Sequence, residues 1–204
     1  MKTKLFLIAG FIAVTSLTAK AQKMVQEVGD LTMLVGQTKM LVEYDFDDLD
    51  MGKEGSESEY LEKKRTDLNK KEAGKGDKFV EGWKKNQTER YEPKFEELFN
   101  KTMKGKMDIS QSNKDAKYKL IVKTLTLYPG YNVGVSKMPA YVSFAFIIVE
   151  TANPDKILSK TVVKNVVGSQ VMGYDFDAGS RLQESYAKAG KMLAAYIKKK
   201  APLK

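Results

Sequence analysis

Two copies of one tetrapeptide hold the side chains best placed to do chemistry: Tyr44-Asp45-Phe46-Asp47 and Tyr174-Asp175-Phe176-Asp177. In an extended backbone successive side chains point to opposite sides, so each copy sends its aromatics one way and its acids the other. The ordinary consequence is a pair of aromatic core anchors with the acids left in water. The sharper one is that the copies approach, so that Asp45, Asp47, Asp175 and Asp177 form one acidic site for a cation or a basic partner group. Four close carboxylates repel without a counter-charge, and calcium is the ion such an oxygen-rich site would take. The run Asp45-Phe46-Asp47-Asp48-Leu49-Asp50 also leads into Gly52. An EF-hand loop starting at Asp47 would put Leu49 and Met51 at ligand positions and Ser58 where the bidentate Glu belongs, which excludes that loop.

Other reactive patterns are thinner. Ser185-Tyr186-Ala187-Lys188 matches S-x-x-K, and a Ser and Lys three apart on a helix share a face. The companion motifs are missing, since Lys123-Thr124 continues with Leu125 and Lys160-Thr161 with Val162. A glycosidase needs two carboxyl groups across a cleft, and Glu43, Asp45, Glu150, Asp175 and Asp177 qualify by type alone. The chain has no His and no Cys. That removes the usual general base, the Ser-His and Cys-His nucleophile pairs, the commonest zinc ligand and all disulfides. The sequence assigns no catalytic residue and no organic cofactor.

Lys2 and Lys4 precede an apolar run, Leu5–Leu17, which ends in Ala19-Lys20-Ala21. A basic start, a short apolar stretch and an A-x-A site make residues 1–21 a secretory signal peptide, too short for the roughly 20 apolar residues of a membrane span. Residues 22–204 then form one domain, exported to the periplasm or beyond the cell. No later stretch is apolar enough to span a membrane, and no Cys is present to carry an N-terminal lipid. The whole chain has 35 basic and 26 acidic residues; without Lys2, Lys4 and Lys20 the balance is 32 against 26, a charge of +6. On an exported protein this points away from nucleic acid and towards an envelope protein, anionic lipid or anionic glycan, although Lys-rich solvated helix faces are ordinary.

The elements that must position these residues follow from periodicity. Along Tyr141–Thr151, Val142, Phe144, Phe146 and Ile148 share one parity, while Tyr141, Ser143, Ala145, Ile147 and Val149 share the other. A strand apolar on both sides is central in its sheet. Its neighbours begin at Tyr118 and Lys156, with turns at Pro129-Gly130 and Asn153-Pro154-Asp155. Near the start, Leu31–Val35 and Thr38–Phe46 read as a hairpin around Gly36-Gln37, after a lead-in over Gln22–Gly29. Ser56 with Glu59 fits a capping box opening a peripheral helix. Phe79, Val80 and Trp83, then Tyr91, Phe95, Leu98 and Phe99, recur at helical spacing, with Pro93 marking a kink or a fresh start. Lys104–Lys117 reads as a loop. Ser180 and Gln183 cap a last helix with the stripe Leu182, Tyr186, Ala189, Leu193 and Ile197. The order β-β-α-α-β-β-β-α implies an α+β fold, an antiparallel sheet of about five strands with helices packed mainly on one face.

The segments GYDFDAGSRLQESYAKAGKML and YPGYNVGV resemble small exported proteins of unknown function from Bacteroidota, a resemblance that extends over the chain after residue 21 and implies no activity. In element order the chain is also similar to the N-terminal domain of the Tol-Pal protein TolB, which transfers no functional residue. Three functions remain: a non-enzymatic envelope module that binds a protein or an anionic surface component, a carboxylate-dependent glycan hydrolase, and a structural domain that pairs with its own copy. Processing is expected between Ala21 and Gln22. N-terminal sequencing of the exported form should begin at Gln22, and a form retaining Met1 would remove the argument for export.

Overall fold

The computed structural model describes residues 22–132, 136–168, 178–201 and 203. Eight strands and four helices are formed there: β1 Met24–Val28, β2 Lys39–Asp45, α1 Glu57–Lys71, α2 Lys75–Asn86, α3 Glu92–Met103, β3 Asp108–Ser110, β4 Tyr118–Tyr128, β5 Tyr131–Asn132, β6 Lys137–Met138, β7 Tyr141–Glu150, β8 Asn153–Val167 and α4 Ala178–Lys200. Six strands make the main sheet in the order β1-β8-β7-β4-β2-β3, and β5 and β6 form a small separate ribbon. The fold is α+β, with β7 in the middle of the sheet. Val142, Phe144, Phe146 and Ile148 all enter the core from it.

The sheet is mixed, where an antiparallel one of about five strands was expected from short turns. β4, β7, β8 and β1 pair antiparallel, but β2 pairs parallel with both β4 and β3. The three helices between β2 and β3 supply the long crossover that parallel neighbours need. Both added strands are short. β1 lies in the expected lead-in and β3 in the expected loop, each at a sheet edge. The segment expected as a first hairpin strand is instead a single 3-10 turn, Thr32–Leu34. Asp30 Oδ1 accepts from the Thr32 amide at 2.8 Å and from its hydroxyl at 2.6 Å, a local bond that competes with strand pairing. Leu31 and Leu34, three apart, are then buried on one side of that turn.

The β7–β8 turn is Thr151-Ala152, because Glu150 pairs directly with Asn153. Pro154 thus lies within β8, on the stretch that β1 does not reach, so its missing donor breaks no ladder bond with β1. The capping box at the start of α1 is present, with the Ser56 hydroxyl accepting from the Glu59 amide and the Glu59 carboxylate accepting from the Ser56 amide. Helix α4 begins at Ala178, so Ser180 sits inside its first turn and not at its cap. Between α2 and α3 the chain widens into a π turn, Gln87–Tyr91. Pro93 follows at once; it lacks an N–H and its ring would crowd the carbonyl of Glu89, and the wider turn relieves both.

Helices α3 and α4 cover one face of the sheet and run parallel. Tyr186 stacks on Tyr91 at 4.9 Å between ring centroids, Gly190 abuts the Phe95 carbonyl and the Phe99 amide, and Lys198 reaches the Thr102 carbonyl at 3.3 Å. The close approach depends on Gly190, where an added Cβ would collide with the Phe95 carbonyl oxygen. Gly82 in α2 has nothing within 4 Å of such a Cβ. Two substitutions of one chemical kind should therefore act oppositely. Gly82→Ala should stabilise by about 1 kcal/mol from helix propensity, raising Tm by roughly 2–4 °C. Gly190→Ala should lower Tm, because crowding of about 1–3 kcal/mol outweighs that gain. Thermal melts of the two variants check this, and a stabilising Gly190→Ala would contradict the helix contact.

Candidate functional site

The face of the sheet turned away from α3 and α4 carries no helix among the described residues. Its pattern is symmetrical about β7. Ala145, Ile147 and Val149 run down the middle. Lys119 and Lys123 on β4 flank them on one side, and Lys160 and Lys164 on β8 on the other. Acids complete each margin: Lys119 pairs with Glu43 at 2.9 Å, Lys123 with Asp45 at 2.7 Å, and Lys160 with Glu27 of β1 at 2.9 Å. Ala145 and Val149 are each only 1% exposed although they lie outside the helix-covered core. Lysine stems can cover apolar surface while the ammonium group reaches water, and the side chain of Lys119, on the neighbouring strand, is only 15% exposed.

Near the edge the face opens into a depression of about 380 Å³ lined by Lys23, Val25, Glu27, Val162 and Lys164. Val25 is 48% exposed there. A bulge shapes this region: two residues of β8, Lys164 and Asn165, oppose Ser143 alone. Asn165 takes a left-handed φ of 53°, and its amide donates to the Ser143 hydroxyl at 3.1 Å. The face thus combines an apolar centre, five lysines and three carboxylates.

Asp45 belongs to this face, held by Lys123 and accepting the Asp47 amide at 2.9 Å. Tyr44 and Phe46 point the other way, into the core: Tyr44 meets Phe95 edge-on at 6.0 Å and Phe46 lies 6.3 Å from Tyr186. Asp47 lines a second depression with Asp48, Ser56, Glu57, Lys84 and Gln87. Asp175 and Asp177 lie outside the described residues. Among the described residues no group of three or more His, Cys, Asp or Glu is arranged to hold a metal ion.

The S-x-x-K pair serves the fold. The buried Ser185 hydroxyl accepts from the Gly168 amide at 3.1 Å, and Lys188 Nζ donates to the Val167 carbonyl at 3.0 Å. Together they fasten the end of β8 to α4. Of the carboxylates weighed by type, Glu43 and Asp45 are committed to Lys119 and Lys123. Glu150 lines a depression at the β7–β8 turn with Lys114 and Lys117.

The acids raised above their usual range among the described residues are Glu92 and Glu96, one turn apart on α3, which the sequence reading passed over. Burial pushes both carboxyls above their usual range, against hydrogen bonds that pull them down. Gln111 donates to Glu92 Oε2 at 2.7 Å, and the Tyr44 hydroxyl lies 3.3 Å from Glu96 Oε1. The signal was acids flanking Tyr91 and Phe95 on a helix otherwise read for its apolar stripe. Two acids on one helix turn share a single wall, which is not the opposed pair of a glycosidase. Because their folded values are raised, the folded chain holds extra protons just above the ordinary carboxylate range, and stability falls as pH rises through that window. Glu96→Gln should match the wild-type melting point in mild acid and exceed it at neutral pH. A variant less stable at neutral pH would contradict this account.

No helix of the described residues is long and apolar enough to cross a membrane. No family model and no curated protein matches the chain. Among solved structures it is similar to the PelC dodecamer from Paraburkholderia phytofirmans in space group P6, at 12% identity and a TM-score of 0.37, covering 85% of this chain and 97% of that one. A single-substitution variant of that PelC dodecamer, in space group C2, gives 11% identity and a TM-score of 0.39, covering 84% of this chain and 98% of that one. A likeness at this level carries no function from PelC to this chain.

Proposed function

We propose that this chain is an exported cell-envelope module that works by binding, through the open face of its sheet, and not by catalysis. The observation that carries the reading is the one-sided cover of a six-stranded sheet. A sheet face bare of helices must be solvated or occupied; among the described residues no helix covers this one, and lysines of both neighbouring strands border its apolar centre. The lysines are half-committed: three have carboxylate partners across the strands, whereas Lys23 and Lys164 beside Val25 have no ion pair among the described residues. A partner with acidic groups around an apolar contact would meet both features. An envelope protein fits this description better than a bare polyanion, which has nothing to place on Val25 and Ile147. Export rests on the leader at residues 1–21, and the absence of His and Cys removes most nucleophile chemistry.

Photo-crosslinking in the native cell checks the proposal. A crosslinking residue at Val25, Ile147 or Lys164 should trap one discrete partner, and the same group at Arg65 or Lys78 on the outer helices should not. Val25→Glu, at a position 48% exposed, should abolish the adduct formed from Ile147 or Lys164 while leaving the fold intact. Adducts from the helix positions alone would refute the assignment of the face; adducts whose mass is twice that of the chain would identify the partner as a second copy.

A further inference from the structure

Lysines also gather at a second place, remote from the open sheet face. Because α3 and α4 run parallel, their C-termini end side by side, and Lys101, Lys104, Lys106, Lys198, Lys199 and Lys200 lie at that common end. The two ends are tied together: Lys198 donates to the Thr102 carbonyl at 3.3 Å and Lys106 to the Leu203 carbonyl at 3.1 Å. None of the six has a carboxylate within ion-pair distance among the described residues. The neighbouring Asp108 accepts from Asn113 at 3.1 Å. Two helix C-termini contribute only about half a negative charge each, so the dipoles offset roughly one of the six.

The backbone gives a second reason to see more than helix capping here. Lys104 sits in the left-handed region at φ 55°, the position after a helix where glycine costs nothing sterically. Glycine is present one residue later, at Gly105. A lysine there accepts a steric cost that glycine would avoid, and it places an ammonium group at the end of α3.

We propose that the joined ends of α3 and α4 adsorb to an anionic lipid bilayer surface. The patch is the tip of two helices, and the aromatic beside it, Tyr196, is half-buried with Lys200 Nζ 6.0 Å from its ring centroid. Its apolar side chains, Met103, Ile197 and Leu203, are buried, so contact is through ammonium groups and headgroups without insertion. Such contact is worth about fivefold in partition per lysine and is screened within a Debye length of about 8 Å at physiological salt. Adsorption through this tip leaves the sheet face on the other side of the molecule free for its own partner, so the two readings stand or fall separately.

The test is co-sedimentation of the processed chain, from Gln22, with phosphatidylcholine vesicles with and without phosphatidylglycerol. The leader is left out because its apolar run would itself enter a bilayer. Binding should require phosphatidylglycerol and reverse on raising salt. Lys101→Gln/Lys104→Gln/Lys199→Gln/Lys200→Gln should cut it by roughly two to three orders of magnitude. Lys53→Gln/Lys70→Gln/Lys71→Gln/Lys78→Gln removes the same charge from elsewhere and should retain most of it. Thermal melts and sheet-face crosslinking should be unchanged in both. No binding to either vesicle, equal loss in both variants, or capture by polygalacturonate with none by phosphatidylglycerol vesicles would each overturn the proposal.

Discussion

The position of α4 hangs on one buried side chain. Tyr186 has no measurable exposure, and its ring is gripped on three sides: stacked on Tyr91, edge-on to Phe144 at 4.9 Å, and beside Phe46. Its hydroxyl shares a hydrogen bond of 2.7 Å with Thr124 in the middle of β4. Burying that hydroxyl without a partner would cost about 1–3 kcal/mol, so the pairing fixes which residue of β4 lies under which turn of α4. The neighbouring bonds of Ser185 and Lys188 then bring the end of β8 to the same helix. Gly190, one turn further on, lets α3 close alongside. Once α4 is seated this way, both long apolar stripes are used on a single face of the sheet.

That commitment explains the character of the other face. With α3 and α4 spent on one side, β7 must shelter its second row by other means. That row carries small side chains, Ser143 and Ala145, and lysines border it on both neighbouring strands. The cost of holding those lysines is reduced by carboxylates on the next strands out. Exposed ion pairs of this kind contribute about 0–1 kcal/mol each, too little to explain the fold. Their arrangement is better understood as a surface that is soluble when alone and adaptable when met.

How far the sequence discloses this can be judged element by element. β7 is legible because its ten residues are largely apolar on both parities, and α1 because Ser56 and Glu59 satisfy each other's backbone groups locally. β1 and β3 are not legible, since each buries almost nothing of its own: Ile109 is the one buried residue of β3. Leu31–Val35 misleads because an apolar run reads alike as a strand or as a tight turn with Leu31 and Leu34 inward. Strand direction escaped as well, since periodicity places side chains on faces but says nothing about parallel or antiparallel partners. The tetrapeptide repeat foretold the inward aromatics and outward acids of its first copy. It could not foretell Lys123, which answers Asp45 from a strand far off in sequence. Glu92 and Glu96 were hidden for a similar reason, because what perturbs them is burial supplied by packing.

The parallel run of α3 and α4 finally decides where charge collects. Antiparallel neighbours place unlike dipole ends together, whereas parallel ones set two partial negative ends side by side. Some positive charge at that end is therefore expected from stability alone, and Lys198, reaching across to the Thr102 carbonyl, supplies it. Lys106 bonds the Leu203 carbonyl, beyond the end of α4. One lysine already matches the roughly one negative charge of the two helix ends. Lys101, Lys104, Lys199 and Lys200 exceed what the fold requires, and they repel one another across the same small tip. On the open sheet face most lysines are answered by an acid, but at the helix tip they are not. The difference separates a surface shaped for a mixed apolar and charged partner from one whose only complement is a dense negative field.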